Sequence, residues 1–288
     1  MASARSAAGT VRDALAAATD ALGAASVEAP RLDAEVMLAA AAGVDRTRLV
    51  VEPEAPVDAP AGRRFGAMVR RRVEREPVAY ILGRRGFRGI ELEVDRRVLI
   101  PRPETELLVE VALELEPRTV LDVGTGSGAV ALAIADELPE AEIAATDRSP
   151  AALAVARANA ARLGLASRIR FERGTLPATS GFDLLVANLP YVAADEWADL
   201  APEITRHEPR DALVAGSSGL EEIEALLRAL AGVAERPGSV ALEVGAGQAA
   251  AVSELVSAAG FRAVERRDDL AGIARVVIGR AEAGGRGG

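Results

Sequence analysis

Three short stretches of the chain carry residue types that could do chemistry. The first is "DVGTGSG", in which Asp122 precedes Gly124, Gly126 and Gly128, with Thr125 and Ser127 between the glycines. Glycines alternating in this way let the backbone turn tightly and approach a ligand closely, because no Cβ stands in the way. The second is Asp147, 25 residues beyond Asp122. The third is "NLPY", made of Asn188, Leu189, Pro190 and Tyr191. An asparagine side chain offers one carbonyl acceptor and two donors, and Pro190 pushes Leu189 toward extended geometry, which fixes where its carbonyl points. Two fixed acceptors, the Asn188 side chain and the Leu189 backbone, can hold both hydrogens of a planar NH₂ group. The ring of Tyr191 can cover the flat face of that group.

The glycine spacing separates two ligand classes. A dinucleotide fingerprint is GxGxxG, places pyrophosphate over a helix N-terminus and needs no acid ahead of it. This loop is D-x-G-x-G-x-G, with a carboxylate two residues before its first glycine. That carboxylate suits a ligand carrying positive charge, as the amino group and sulfonium of S-adenosylmethionine do. Asp147 can then accept the hydroxyls of its ribose. The plainer readings are a tight turn with a helix cap for the loop and an Asn-capped β-turn for "NLPY". Three such stretches at successive strand ends favour the chemical reading.

The elements that must position these residues follow from the apolar pattern. "TVLDV", "AEIAATD", "RIRFE" and "FDLLVAN" are strands alternating with helices at 129–138 and from Ser149 and Pro150 onward, with "SVALEV" and "ARVVIG" later. Apolar strands alternating with helices imply a parallel sheet covered on both faces, and in such sheets ligands lie beyond the carboxyl ends of the strands. Residues 1–76 read as a bundle of three helices: one capped by Thr10 with Asp13 and stopped at Gly23, one from Pro30 to Gly43, and one following Asp58. Residues 77–101 read as a strand pair, 102–280 as the α/β domain opening with a helix after Pro103, and 281–288 as a disordered tail.

Composition removes whole classes of function. The 288 residues include no cysteine and one histidine, and all 34 cationic side chains are arginine. Disulfides, thiolate zinc sites, a cysteine nucleophile, a P-loop or Schiff-base lysine and multi-histidine metal sites are excluded, and a Ser-His-Asp triad could pass only through His207. The core must come from Ala, Val, Leu and Ile, since aromatics are 3%. A net charge of −9 argues against a protein that coats nucleic acid. No run of 18 apolar residues is free of charge, so no membrane span is expected. The charged N-terminal stretch reads as an amphipathic helix and not as a signal peptide, which leads us to expect a cytoplasmic protein.

Together, "DVGTGSG", Asp147 and "NLPY" resemble class I S-adenosylmethionine-dependent methyltransferases that act on planar NH₂ nitrogens through a (D/N/S)PP(Y/F/W) motif. "EPVAYILGRRGF", "LIPRPETELLVE", "RHEPRDAL" and "DLAGIARVVIGR" narrow the resemblance to the release factor glutamine methyltransferases, the PrmC/HemK family, over residues 75 to 280. The resemblance implies a small N-terminal helical bundle, a linking β-hairpin and a Rossmann-like seven-stranded sheet. It implies methylation of the side-chain nitrogen (N5) of the glutamine in the GGQ motif of class 1 peptide chain release factors. By matched position, the 124–128 loop would contact the methionine part of the cofactor and Asp147 its ribose, Leu176 lies near the adenine-contacting position, Asp122 and Asn188 also count among the cofactor-binding residues, and Asn188 to Tyr191 would hold the glutamine. Two positions depart from the family pattern: Leu189 stands where proline is usual, and Thr175 where aspartate is frequent.

Other residues invite weaker readings. His207 could be a base but reads as a loop histidine. Trp197 could shield the site but reads as a loop anchor, and Glu208 with Pro209 as the ordering element of a substrate-side loop. Arg64, Arg71 and Arg75 share a helical face that could touch a partner, although solvated arginines are the ordinary case. Phe87 suits a cofactor wall and plain packing equally. No metal is expected, and a monomer is. The competing functions are N6-adenine methylation of DNA or RNA, disfavoured by the absence of a basic target-reading module, and a non-catalytic S-adenosylmethionine-binding protein. A nicotinamide dehydrogenase fails on the glycine spacing.

Overall fold

The computed structural model describes residues 9–281. They divide into two compact units, one formed by 9–83 with 201–207 and the other by 84–200 with 208–281. Residues 1–8 lie outside the described part, as does the expected tail beyond Ala281, whose own amide donates to the Gly238 carbonyl.

The helical unit begins with α1 (Val11–Ala24), closed at its start by the reciprocal Thr10–Asp13 capping box. Next come α2 (Pro30–Ala42), with proline in its first turn and Gly43 at φ 67 past its end, and α3 (Arg46–Val51). Then follow α4 (Ala59–Val73), capped by Asp58, and α5 (Val78–Leu82). The three expected helices are present, but α3 and α5 add to them. Residues 78–82, which read as the start of a strand pair, are one helical turn. Pro77 precedes that turn, Gly83 ends it at φ 71, and Ile81 is buried with Leu15, Leu22, Met37, Leu38 and Phe65. That apolar contact outweighs the strand propensity of so short a segment.

The α/β unit opens with the antiparallel hairpin β1 (Arg84–Phe87) and β2 (Ile90–Glu93). A 3₁₀ turn at Pro103–Thr105 leads into α6 (Glu106–Leu115). The chain then alternates β3 (Thr119–Val123), α7 (Ala129–Glu137), β4 (Glu142–Asp147), α8 (Pro150–Arg162), β5 (Ile169–Arg173) and β6 (Leu184–Ala187). After β7 (Val192–Ala193) it contributes α9 (Pro202–His207) to the helical unit. It returns through β8 (Val214–Gly216), α10 (Glu221–Leu230), β9 (Ser239–Glu243), α11 (Ala249–Ala258), β10 (Ala263–Asp268) and β11 (Ala274–Arg280).

The seven-stranded sheet has the order β10-β11-β9-β6-β3-β4-β5. It is not parallel throughout: β11 runs antiparallel to both β9 and β10. β10 was absent from the apolar pattern because its sequence, AVERRD, is that of a partly exposed edge strand. From β3 the chain steps outward through β4 and β5, then crosses back so that β6 lands on β3's other side. The order therefore reverses between β3 and β6, which opens a crevice beyond their carboxyl ends.

Within the helical unit the arginines are committed internally. Arg72, 6% exposed, donates to Asp33 and to Glu203 of α9, each at 2.7 Å. Arg75 donates to both Glu203 oxygens and to the carbonyls of Ala25 and Ser26. Burial alone would raise the Glu203 carboxyl, but the bonds from Arg75 and Arg72 hold it down at about 2. Arg64 donates to the Ala41 carbonyl and Arg71 to Glu76. The face that read as partner surface or solvated arginine is largely spent on this unit's own structure.

Candidate active site

A cavity of about 740 Å³ lies at the reversal point and brings together Gly124, Gly126, Asp147, Asn188, Leu189 and Pro190. Its volume falls in the range of small-ligand sites. Gly124, Gly126 and Gly128 all have positive φ (75, 57 and 86), a region in which side chains are strained. A Cβ on Gly124 would stand 3.0 Å from Leu189 Cδ2, so the glycine loop and the "NLPY" turn are in direct contact. A Cβ on Gly128 would meet Leu132 Cδ1 at 2.8 Å. The absence of a side chain at Gly128 thus leaves room for Leu132 of α7.

The two aspartates do different work. Asp147 lines the cavity, with Oδ2 accepting from the Gly126 N–H at 2.9 Å and Oδ1 from the Ser149 N–H at 2.8 Å. An ionised carboxylate has about four acceptor directions, so each oxygen keeps one for a ligand. Asp122 is 2% exposed and turned inward, where it accepts from the Thr125 hydroxyl at 2.7 Å and the Ala131 N–H at 3.2 Å. Burial pushes its carboxyl up to about 6 against the pull of those bonds. The structure makes Asp122 a brace of the loop and leaves it off the cavity wall. Thr125 and Ser127 are buried too, and the Ser127 carbonyl accepts from Asn159, which also grips both backbone groups of Glu93 on β2.

Asn188 leaves β6 at the cavity edge, and its Nδ2 donates to the Thr105 hydroxyl at 2.9 Å. Its oxygen is the acceptor that remains. Tyr191 is not among the residues that line this cavity. Its carbonyl accepts from Gln248 Nε2 at 2.9 Å, its N–H donates to the Leu213 carbonyl, and its ring packs against Gly245. Burial, then the negative charge of Glu243, push the Tyr191 phenol up to about 12. Leu176 packs on the sheet's apolar core, and Gly174 and Thr175 take the cavity wall instead.

The remaining sequence candidates fall out plainly. Phe87 is buried and off the cavity wall, Trp197 lies under the Arg210 guanidinium at 5.6 Å, and His207 ends α9 in the helical unit. Glu208, 7% exposed, accepts from the Ile100 N–H and from Arg102. It thereby ties together two segments that line the cavity, 97–99 and 209–212.

A release factor glutamine methyltransferase from Cereibacter sphaeroides is 44% identical to this chain over 273 residues, 94% of this chain and 98% of that protein. One from Moorella thermoacetica is 41% identical over 271 residues, 91% of this chain and 95% of that protein. The chain belongs to the release factor glutamine methyltransferase family. Residues 13–83 match the family described as PrmC N-terminal domain, and residues 103–216 the one described as methyltransferase small domain. The second match runs from the turn before α6, through the glycine loop and Asn188, to β8. Among solved structures, a methyltransferase from Pyrococcus furiosus is similar at a TM-score of 0.51 and 18% identity, covering 67% of this chain and 89% of that chain. The hMettl16 catalytic domain is similar at 0.55 and 16%, covering 66% and 75%. These two likenesses speak for the fold alone.

Two polar residues of this methyltransferase site were not singled out by their chemistry in the sequence. Thr105 lay in the "IPRPETE" run, noticed for its family resemblance and not for its hydroxyl. Glu243 ends the apolar strand β9, and the rule that drew attention to Asp147 and Asn188, a polar residue closing an apolar strand, applies to it equally.

Proposed function

We propose that the cavity binds S-adenosylmethionine and that the chain transfers its methyl group to the side-chain amide nitrogen (N5) of the glutamine in the GGQ motif of class 1 peptide chain release factors. The observation that carries this reading is the meeting of Asn188, Gly124 and Asp147 in one crevice, with the Asn188 nitrogen already committed to Thr105. The residues suit the cofactor: Gly124 and Gly126 leave the wall open, and Asp147 keeps acceptor directions for two ribose hydroxyls. When bound, S-adenosylmethionine supplies a methyl carbon activated by its sulfonium.

The protein's task is then the nucleophile. An amide nitrogen is weak because its lone pair is shared with the carbonyl. Accepting one N–H at Asn188 Oδ1 and the other at the Leu189 carbonyl localises electron density on that nitrogen and fixes its direction. Leu189 is buried and held between Gly124 and the chain's Pro190, so its carbonyl is set even without the usual proline at its own position. Alignment of this kind supplies about 7–11 kcal/mol, and each preorganised polar contact that strengthens as charge develops supplies about 3 kcal/mol more. No side chain is needed as a base before transfer; the proton leaves to water afterward.

No described helix is long and apolar enough to cross a membrane. Release factors act at ribosomes, so this reading puts the enzyme in the cytoplasm, acting as a monomer on a protein substrate. The test is incubation with labelled cofactor and a release factor, its GGQ Gln→Ala variant, or an adenine-containing duplex. Label only on the unaltered release factor supports the reading; label on the duplex replaces it with adenine methylation, and label on neither with cofactor binding alone. Asn188→Ala is expected to lower turnover at least ~100-fold. Near-normal turnover with the fold intact would remove Asn188 from the mechanism.

A further inference from the structure

Glu243 is a buried carboxylate to which the reaction as described gives no work. It closes β9, and β9 is the parallel neighbour of β6 with Ala187 opposite Leu242. The next residues of the two strands, Asn188 and Glu243, therefore emerge side by side on the same face, the face covered by α6. Thr105 stands at the start of α6, 4% exposed. Its hydroxyl accepts from Asn188 Nδ2 and lies near enough to the Glu243 carboxyl to favour its ionised form.

A hydroxyl has one proton. If Thr105 donates it to Glu243, its lone pairs are all that Asn188 meets, and the asparagine must present N–H to Thr105 and oxygen to whatever lies beyond. If Thr105's proton is not taken by Glu243, it can be donated to Asn188 Oδ1, and the amide turns end for end. The amide would then offer N–H groups to a substrate that itself brings only N–H groups.

The rest of Glu243's surroundings argue against a merely structural role. The residue is 2% exposed, and its Oε2 has no hydrogen-bond partner among the described residues. The nearby cations are committed elsewhere: Arg275 to Asp269 and Arg102 to Glu208. The other groups that act on it are Glu104 and the Tyr191 phenol, neither of which compensates a negative charge by pairing with it. A buried acid held without an ion pair is costly, and an apolar residue of similar size would stabilise the fold better.

We infer that Glu243 is a positioning residue which, through the Thr105 hydroxyl, holds the Asn188 side-chain amide in the one orientation that can accept a hydrogen from the substrate amide. The inference rests on the methyl transfer proposed above. Burial, opposed by the Thr105 bond and deepened by Glu104, raises the Glu243 carboxyl to about 7, so the competent ionised form grows in as pH rises through that value.

The experiment compares wild type with Glu243→Leu, Glu243→Gln and Thr105→Val. Turnover on a release factor is measured from pH 5.5 to 8.5, cofactor affinity by calorimetry, and the Asn188 side-chain NH₂ signals by ¹⁵N NMR of the full chain. Glu243→Leu and Thr105→Val are expected to lose about 10–100-fold in kcat with cofactor Kd within about twofold of wild type. Glu243→Gln keeps an oxygen for Thr105. It is expected to restore kcat to within about tenfold and to abolish both the rise in kcat and the shift of the Asn188 signals through about pH 7. Wild-type kcat in Glu243→Leu or in Thr105→Val would overturn the inference, as would a fall in cofactor affinity that matches the fall in kcat. If Glu243→Leu fails to fold, the glutamine and valine variants decide. A wild-type enzyme that binds cofactor yet leaves the release factor unlabelled would overturn the methyl-transfer reading, and this inference with it; active wild type with unresponsive variants overturns only the inference.

Discussion

The contact between Gly124 and Leu189 joins the glycine loop to the "NLPY" turn, and it can be perturbed by one carbon atom. Gly124→Ala places a Cβ in a backbone at φ 75, 3.0 Å from Leu189 Cδ2 and 3.6 Å from the Asn188 carbonyl. The left-handed conformation costs an alanine about 1–2 kcal/mol. Carbon atoms prefer about 3.5–4.0 Å, so Leu189 must retreat by roughly half an ångström or absorb about 1 kcal/mol of repulsion. The stability loss is therefore about 2–3 kcal/mol. A 1 Å misplacement at a reacting centre costs on the order of 100-fold, so a shift of half that, carried through Leu189 to Asn188, costs about 10-fold in kcat. Leu189→Ala on its own removes a side chain that is 8% exposed and costs about 2–3 kcal/mol of stability. In the double variant the clash is gone. Its stability loss is expected to fall short of the sum by about 1 kcal/mol, and the kcat loss specific to Gly124→Ala is expected to disappear. Urea unfolding and single-turnover methylation measure the cycle. Additivity within about 0.3 kcal/mol, together with a persistent 10-fold kcat loss, would refute the idea that the two motifs communicate through this contact.

Three further outcomes follow from the same geometry. Asp147→Asn loses a charged acceptor for the ribose and for the Gly126 and Ser149 amides, so cofactor Kd by calorimetry is expected to weaken about 10–100-fold; an unchanged Kd would place the ribose elsewhere. Glu208→Ala strands the Ile100 N–H and the Arg102 guanidinium and is expected to cost about 2–4 kcal/mol in equilibrium unfolding, with a loss below 0.5 kcal/mol counting against the tie. Glu243 has a folded-state carboxyl raised from 4.5 to about 7. Its contribution to stability is therefore fully present below about pH 4.5 and lost as pH rises through about 7. At 1.36 kcal/mol per unit the swing is about 3 kcal/mol. Glu243→Gln should accordingly gain about 2–3 kcal/mol relative to wild type between pH 4.5 and 8.5, and a pH-independent difference would contradict the raised carboxyl.

The sequence revealed most where one local rule acted alone. Apolar runs closed by a polar residue gave β3, β4 and β6 with Asp147 and Asn188 at their ends, and Thr10, Asp58 and Ser149 marked helix starts that the structure reproduces. It revealed less where partners distant in sequence decide. α5 is helical because Ile81 packs on a core assembled from α1, α2 and α4, which no five-residue window contains. β10 has no apolar face to advertise because it lies at the sheet's edge. Asp122 stood at a ligand-suited spacing, yet the Ala131 N–H and the Thr125 hydroxyl draw its side chain inward. Leu176 and Thr175 are sequence neighbours on opposite sides of one loop, and only the fold tells which of them faces the cavity.

The placement of α9 bears on how the chain is born. Glu203, the carboxylate that neutralises Arg72 and Arg75, is translated more than a hundred residues after the last residue of α5. At about 5–20 residues per second, the N-terminal helices wait roughly 6–25 s on the ribosome for their counter-charge, while β3 to β6 are already emerging. A fragment ending at residue 83 would leave Asp33 as the remaining ion-pair partner of Arg72, so the unit whose synthesis begins first is completed only after more than a hundred residues of the other have been made.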